Sequence, residues 1–212
     1  MTVHAMRQLL PLLSVFILLG CGGPHDMPHS VEVESPPSAE VIENLIEELA
    51  ISSGPTGDAD GRRARAFAAA EELHAMGKHA FPHLLEHLDD KRESVGFQRL
   101  NRQQYVGEAC YCIITYKILD IPPDFAMSIF RTGADGKSHE RPYSSAEQGL
   151  FDSSTITAWL KQRESEPLAA LQVEALEWLL EEENKIGYPD RSSKATIHDP
   201  LIRHLKSVKA GL

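Results

Sequence analysis

His83-Leu84-Leu85-Glu86-His87 is the stretch of this 212-residue chain whose residue types and spacing come closest to a reaction centre. Two histidines four residues apart lie one helical turn apart and could share a divalent ion through their ring nitrogens. Glu86, between them, could then polarise a metal-bound water, the first step of a metal-assisted hydrolysis. His79 stands a further turn back.

The pattern H-x-x-E-H resembles the zinc motif of the inverzincin peptidases. The resemblance implies zinc held by His83, His87 and a downstream glutamate, with Glu86 as the catalytic base. Glu164 stands at about the right distance for the third ligand, as does Glu166. The chain departs from that family in two respects. The family's motif sits in a large α/β domain, whereas the surrounding residues here have helical periodicity. "LDDKRES" also follows where a glycine-containing stretch is usual. A plain helical reading accounts for the same residues, with Leu84 and Leu88 inward and both histidines on a solvated face. The preferred expectation is therefore no catalytic residue, metal or cofactor, and zinc chemistry is the alternative.

Other matches fail on inspection. "GADGKS" ends like a phosphate-binding loop, but Arg131 occupies the place of its first glycine and no buried strand precedes it. "GDADG" suggests a calcium loop, yet the twelfth position counted from Thr56 is Phe67 rather than glutamate; Asp58 or Asp60 is expected to cap a helix. Cys110 and Cys112, two apart on a helix, point to different sides, so they read as small buried hydrophobes rather than a disulfide or metal pair. No G-x-S-x-G is present.

The clearest chemical signal is Cys21. Residues 1–20 carry a short head with Arg7, an apolar run from Leu9 to Leu19, and Leu18-Leu19-Gly20 before the cysteine. Such a run is too short for a hydrocarbon layer that needs about 20 residues, and its layout is that of a secretory signal. The ending resembles the lipobox of bacterial lipoproteins. That resemblance implies a diacylglycerol thioether on Cys21, cleavage before it, and acylation of the new amino group, usually palmitate-like chains. Gly22 rather than aspartate at the next position favours the outer membrane, periplasmic face, over inner-membrane retention.

Removing residues 1–20 takes the formal charge from −10 to −11, because Arg7 is lost. So acidic a body excludes general nucleic-acid binding and adhesion to anionic headgroups through a basic patch. Attachment to a membrane must come from the lipid. Residues 21–37, rich in Gly, Pro and Ser, form a tether, and about 16 residues at ~3.4 Å each reach ~50 Å when extended.

The remaining elements are helical. Val41, Ile42, Leu45, Ile46 and Leu49 predict a first helix with its glutamates outside. An alanine-rich second helix runs from Arg62 to Met76 and stops at Gly77; a third runs from Ala80 to Asp90, with Pro82 in its first turn. "AAAEELHAMGKHAFPHLLEHLDD" resembles one HEAT repeat, carried by Ala69, Leu73, Met76, Gly77, Ala80, Pro82, Leu84, Leu85, Leu88 and Asp90. A second, degenerate copy starts at "YVGEACYCIITYKIL". A lone repeat cannot bury its faces, so neighbouring helices must cover it. Residues 120–152 lack helical period, and a small hairpin turning at Asp135-Gly136 is expected there. Helices return in 153–212: one capped by Ser153 or Ser154; one from Glu166 to Gly187, with Glu174, Glu177, Glu181, Glu182 and Glu183 on a solvated face and Gln172 at the edge of the apolar face, where its amide can reach water; and one capped by Asp199 with Pro200 first. Trp159 and Trp178 read as packing residues.

The expected fold is all-α: a short HEAT-like array of helical hairpins (38–119), an irregular insert (120–152) and C-terminal helices (153–212) packed on the same body. The expected function is a lipid-anchored, exported protein-binding or scaffolding module with a protein partner. A zinc-dependent hydrolase and a structural envelope protein without a discrete ligand are the alternatives.

Overall fold

Ser38 opens the first element of the computed structural model, which describes residues 36–51, 59–94, 104–143 and 155–212. Its hydroxyl accepts from the Val41 N–H and caps α1 (Ala39–Glu48). Ile42, Ile46 and Leu49 set the buried face of α1. Val41, expected inward, is 43% exposed, because it stands about 100° around the helix from Ile42.

α2 (Ala59–Met76) begins before the expected Arg62, and Asp60 lies in its first turn rather than at its cap. Ala66, Ala69, Ala70 and Leu73 are buried, and the small side chains let α1 approach closely. Gly77, at φ +59°, starts a 3-10 turn (Gly77–His79) that leads into α3 (Phe81–Glu86), with Pro82 in the first turn. α3 ends well before the expected Asp90. The carbonyls of Asp90 and Arg92 are needed elsewhere: they accept from Gly107 and Val106 and satisfy the first N–H groups of α4 (Val106–Leu119).

Two short pairs join the helices. β1 (Glu93–Ser94) and β2 (Gln104–Tyr105) are antiparallel. Ile51 N–H donates to the Glu93 carbonyl at 2.8 Å, and the Ser94 hydroxyl to the Leu49 carbonyl at 2.6 Å. The expected hairpin is present as β3 (Phe130–Thr132) and β4 (Ser138–Glu140), with Arg131 opposite His139 and Gly136 at φ +75° in the turn.

α4 is the central helix. It buries residues on several sides, among them Val106, Cys110, Ile113, Ile114 and Ile118, and packs against α2, α3 and α6. α2 and α3 each rest on α1 and α4 more than on one another. α5 (Ile156–Lys161) buries Ile156, Trp159 and Leu160; Lys78 donates to the Glu164 and Glu166 carbonyls just beyond it. α6 (Leu168–Ile186) and α7 (Arg191–Ala210) form the most extensive helix pair. Gln172, expected to reach water, instead donates to the Lys117 carbonyl at 3.1 Å and ties α6 to α4.

α7 differs from expectation at its start. Its cap is Asp190, whose carboxylate accepts from the Ser193 N–H at 2.7 Å, and Pro200 lies inside the helix. Proline has no N–H for the carbonyl four residues back. That carbonyl, on Thr196, accepts from Ala126 N–H at 2.9 Å, so Pro200 leaves a docking point for the insert.

Of the described residues 64% are helical and 7% lie in strands, so the fold is mainly α, with two small antiparallel pairs added. Pro36–Leu212 form one compact unit around a single apolar cluster fed by all seven α-helices described.

Candidate functional site

The two histidines of the sequence motif meet a carboxylate from a different helix. α1 carries Glu43 and α3 carries His83, with His87 just past the α3 end. His83 Nδ1 lies 2.6 Å from Glu43 Oε1, and His87 Nε2 lies 3.0 Å from Glu43 Oε2. The three side chains are partly exposed, 40% for Glu43 and about a quarter for each histidine. The histidines expected on a solvated face are partly exposed, and they are also bonded, holding α3 to α1. Desolvation pulls the Glu43 carboxyl upward, but the hydrogen bonds from His83 and His87, with their charges, outweigh it and keep the group below its ordinary value.

A second ionic cluster lies beside the first. Arg92 donates to Asp90 through Nε and Nη2 and to Glu47 on α1 through Nη1 and Nη2, so Nη2 is shared between the two carboxylates. Hydrogen bonding from Arg92 is the main reason both carboxylates sit below their ordinary values. His87 Nδ1 is 3.9 Å from Asp90, so the two clusters form one seam between α1, the end of α3 and the turn that caps α4.

The arrangement does not fit zinc. The two ring nitrogens address different oxygens of one carboxylate instead of converging on a common point. Glu86 is exposed at the end of α3, and His79 is exposed in the 3-10 turn. Glu164 is exposed too, and its carbonyl is held by Lys78. Among the described residues no group of three His, Cys, Asp or Glu side chains is arranged to hold a metal ion. What the seam can do is hold helices together by charge-assisted hydrogen bonds.

Cys110 is buried and Cys112 half-buried, both as free thiols. Burial pushes each thiol up to about 12, which leaves almost no thiolate for nucleophilic or redox work. A mainly apolar cavity of about 270 Å³ opens between α2 and α4, lined by Ala70, Glu71, His74, Ile113 and Tyr116. Burial, and then the charge of Lys117, hold His74 below its ordinary value, against the pull of Asp120. "GADGKS" forms the β3–β4 turn, where Lys137 N–H donates to Asp135.

The group that sequence reasoning missed is Glu183. Placed with the solvated glutamates of α6, it is fully buried. Arg131 Nε and Arg141 Nε each donate to one of its oxygens at 2.7 Å. Arg131 also donates to the Glu183 and Gly187 carbonyls, and Ala134 N–H to the Ile186 carbonyl. The insert is thus the C-terminal cap of α6, with a cation at the negative end of the helix dipole. Arg141 lies over the Phe125 and Tyr143 rings, at 4.4 Å and 4.9 Å. Only an unusual pair of arginines ten residues apart in an aromatic-flanked insert could have signalled it.

The remaining acids of the α6 face are paired at the surface: Glu174 with Arg163, Glu177 with Lys209, and Glu181 and Glu182 with Lys185. No helix among the described residues is long and apolar enough to cross a membrane. Cys21 and the leader lie outside the described residues, as do Asp58, Ser153 and Ser154. The chain matches no protein-family model, no curated protein and no solved structure.

Proposed function

We propose that this chain is an exported lipoprotein held on a membrane by acyl groups on Cys21, with a helical body that binds or scaffolds another protein at the cell envelope. The observation that carries the reading is Leu18-Leu19-Gly20-Cys21 at the end of a short apolar run. The tether of this reading is residues 21–37, which contain Gly, Pro and Ser and end just before Ser38, the cap of α1. Two or more acyl chains, each contributing about 0.8 kcal/mol per buried methylene, hold such a body without a spanning helix. Gly22 favours the periplasmic face of the outer membrane.

The HEAT-like part of the reading is supported by the buried Ala69, Leu73, Ala80 and Leu84 and by the positive-φ corner at Gly77. α2 and α3 lean mainly on α1 and α4, and on this reading the repeat is part of a packed body rather than a free-standing array. Protein binding follows by analogy with helical-repeat surfaces. Intact-mass and peptide analysis of protein extracted from membranes tests the anchor. An N-terminal peptide beginning at acylated Cys21 is expected, and a mature terminus elsewhere with the Cys21 thiol bare contradicts it. Cross-linking in intact cells tests the second half: one recurrent protein partner is expected, and none contradicts the scaffold role.

A further inference from the structure

We draw no further inference here: the strongest candidate, the exposed apolar strip from Met127 to Phe130 on the insert pinned by Arg131 and Arg141, is an unpartnered face, and nothing in the structure shows what covers it.

Discussion

Arg141 Nε donates to Glu183 Oε1 across 2.7 Å, with both side chains fully buried. The other oxygen of Glu183 takes Arg131, itself 6% exposed. Two cations thus meet one buried anion, and the C-terminal dipole of α6 supplies further negative potential through its carbonyls. Burying such a cluster gives little net stability, but removing its single carboxylate leaves two buried guanidinium groups opposed to each other. Glu183→Gln should therefore cost about 3–5 kcal/mol, read as a lowered urea midpoint. Proteolysis of the variant under native conditions should begin within 120–143, because Glu183 joins that insert to α6. Unchanged stability would show that the triad is not the fastening described.

Gly107 sits where α4 crosses the turn after α3. A Cβ there would lie 2.1 Å from the Leu88 carbonyl oxygen, which is backbone and cannot swing aside. Gly107→Ala should destabilise by about 1–3 kcal/mol or more, as overpacking does. At Gly136, where nothing lies within 4 Å, the same change meets only the positive-φ penalty of about 1–2 kcal/mol. Thermal unfolding of the two variants compares them directly, and Gly107→Ala should have the lower midpoint.

The seam around Glu43 predicts a dependence on acid. Glu43 and Asp90 are held below ordinary values of 4.5 and 3.8. A depressed carboxylate stabilises fully above its unfolded value, and that stability is lost as pH falls through the folded value. The stability difference between the natural protein and Glu43→Gln should shrink from about pH 4.5 downward. Asp90→Asn should behave likewise at slightly lower pH. Chemical denaturation across pH 3–7 measures both. Because Glu43 is 40% exposed, solvent screening keeps the effect modest.

The start of α7 can be tested by comparing two aspartates. Asp190 caps the helix, so Asp190→Ala should cost about 1 kcal/mol. Asp199 lies within the helix at the surface, bonded to His198, and its replacement by alanine should stay within about 0.5 kcal/mol. The reverse order in thermal melts would restore the shorter helix suggested by Asp199-Pro200.

Those two residues show why part of the fold was not legible in advance. Asp-Pro is a good helix opening locally, and only the distant Ala126 N–H, which takes the Thr196 carbonyl, makes proline tolerable inside α7. α1, α4 and α6 were readable because their apolar residues repeat at helical spacing, and the β3–β4 hairpin because Asp135-Gly136 suits its turn. Glu183 was not, since local pattern cannot separate one buried acid from four surface neighbours when its partners lie 42 and 52 positions away. The same holds for Glu43, which meets its histidines across 40 and 44 positions. The β1–β2 pair, two residues per strand, is too short to leave a period.

The central claim is that one thioether-linked residue keeps this acidic body at a membrane. Metabolic labelling with radioactive palmitate, followed by fractionation of cells producing the natural chain and Cys21→Ser, tests it most directly. The natural chain should carry label and sediment with membranes, and Cys21→Ser should carry none and leave the lipidated fraction. Equal labelling and sedimentation of the two proteins would contradict the account.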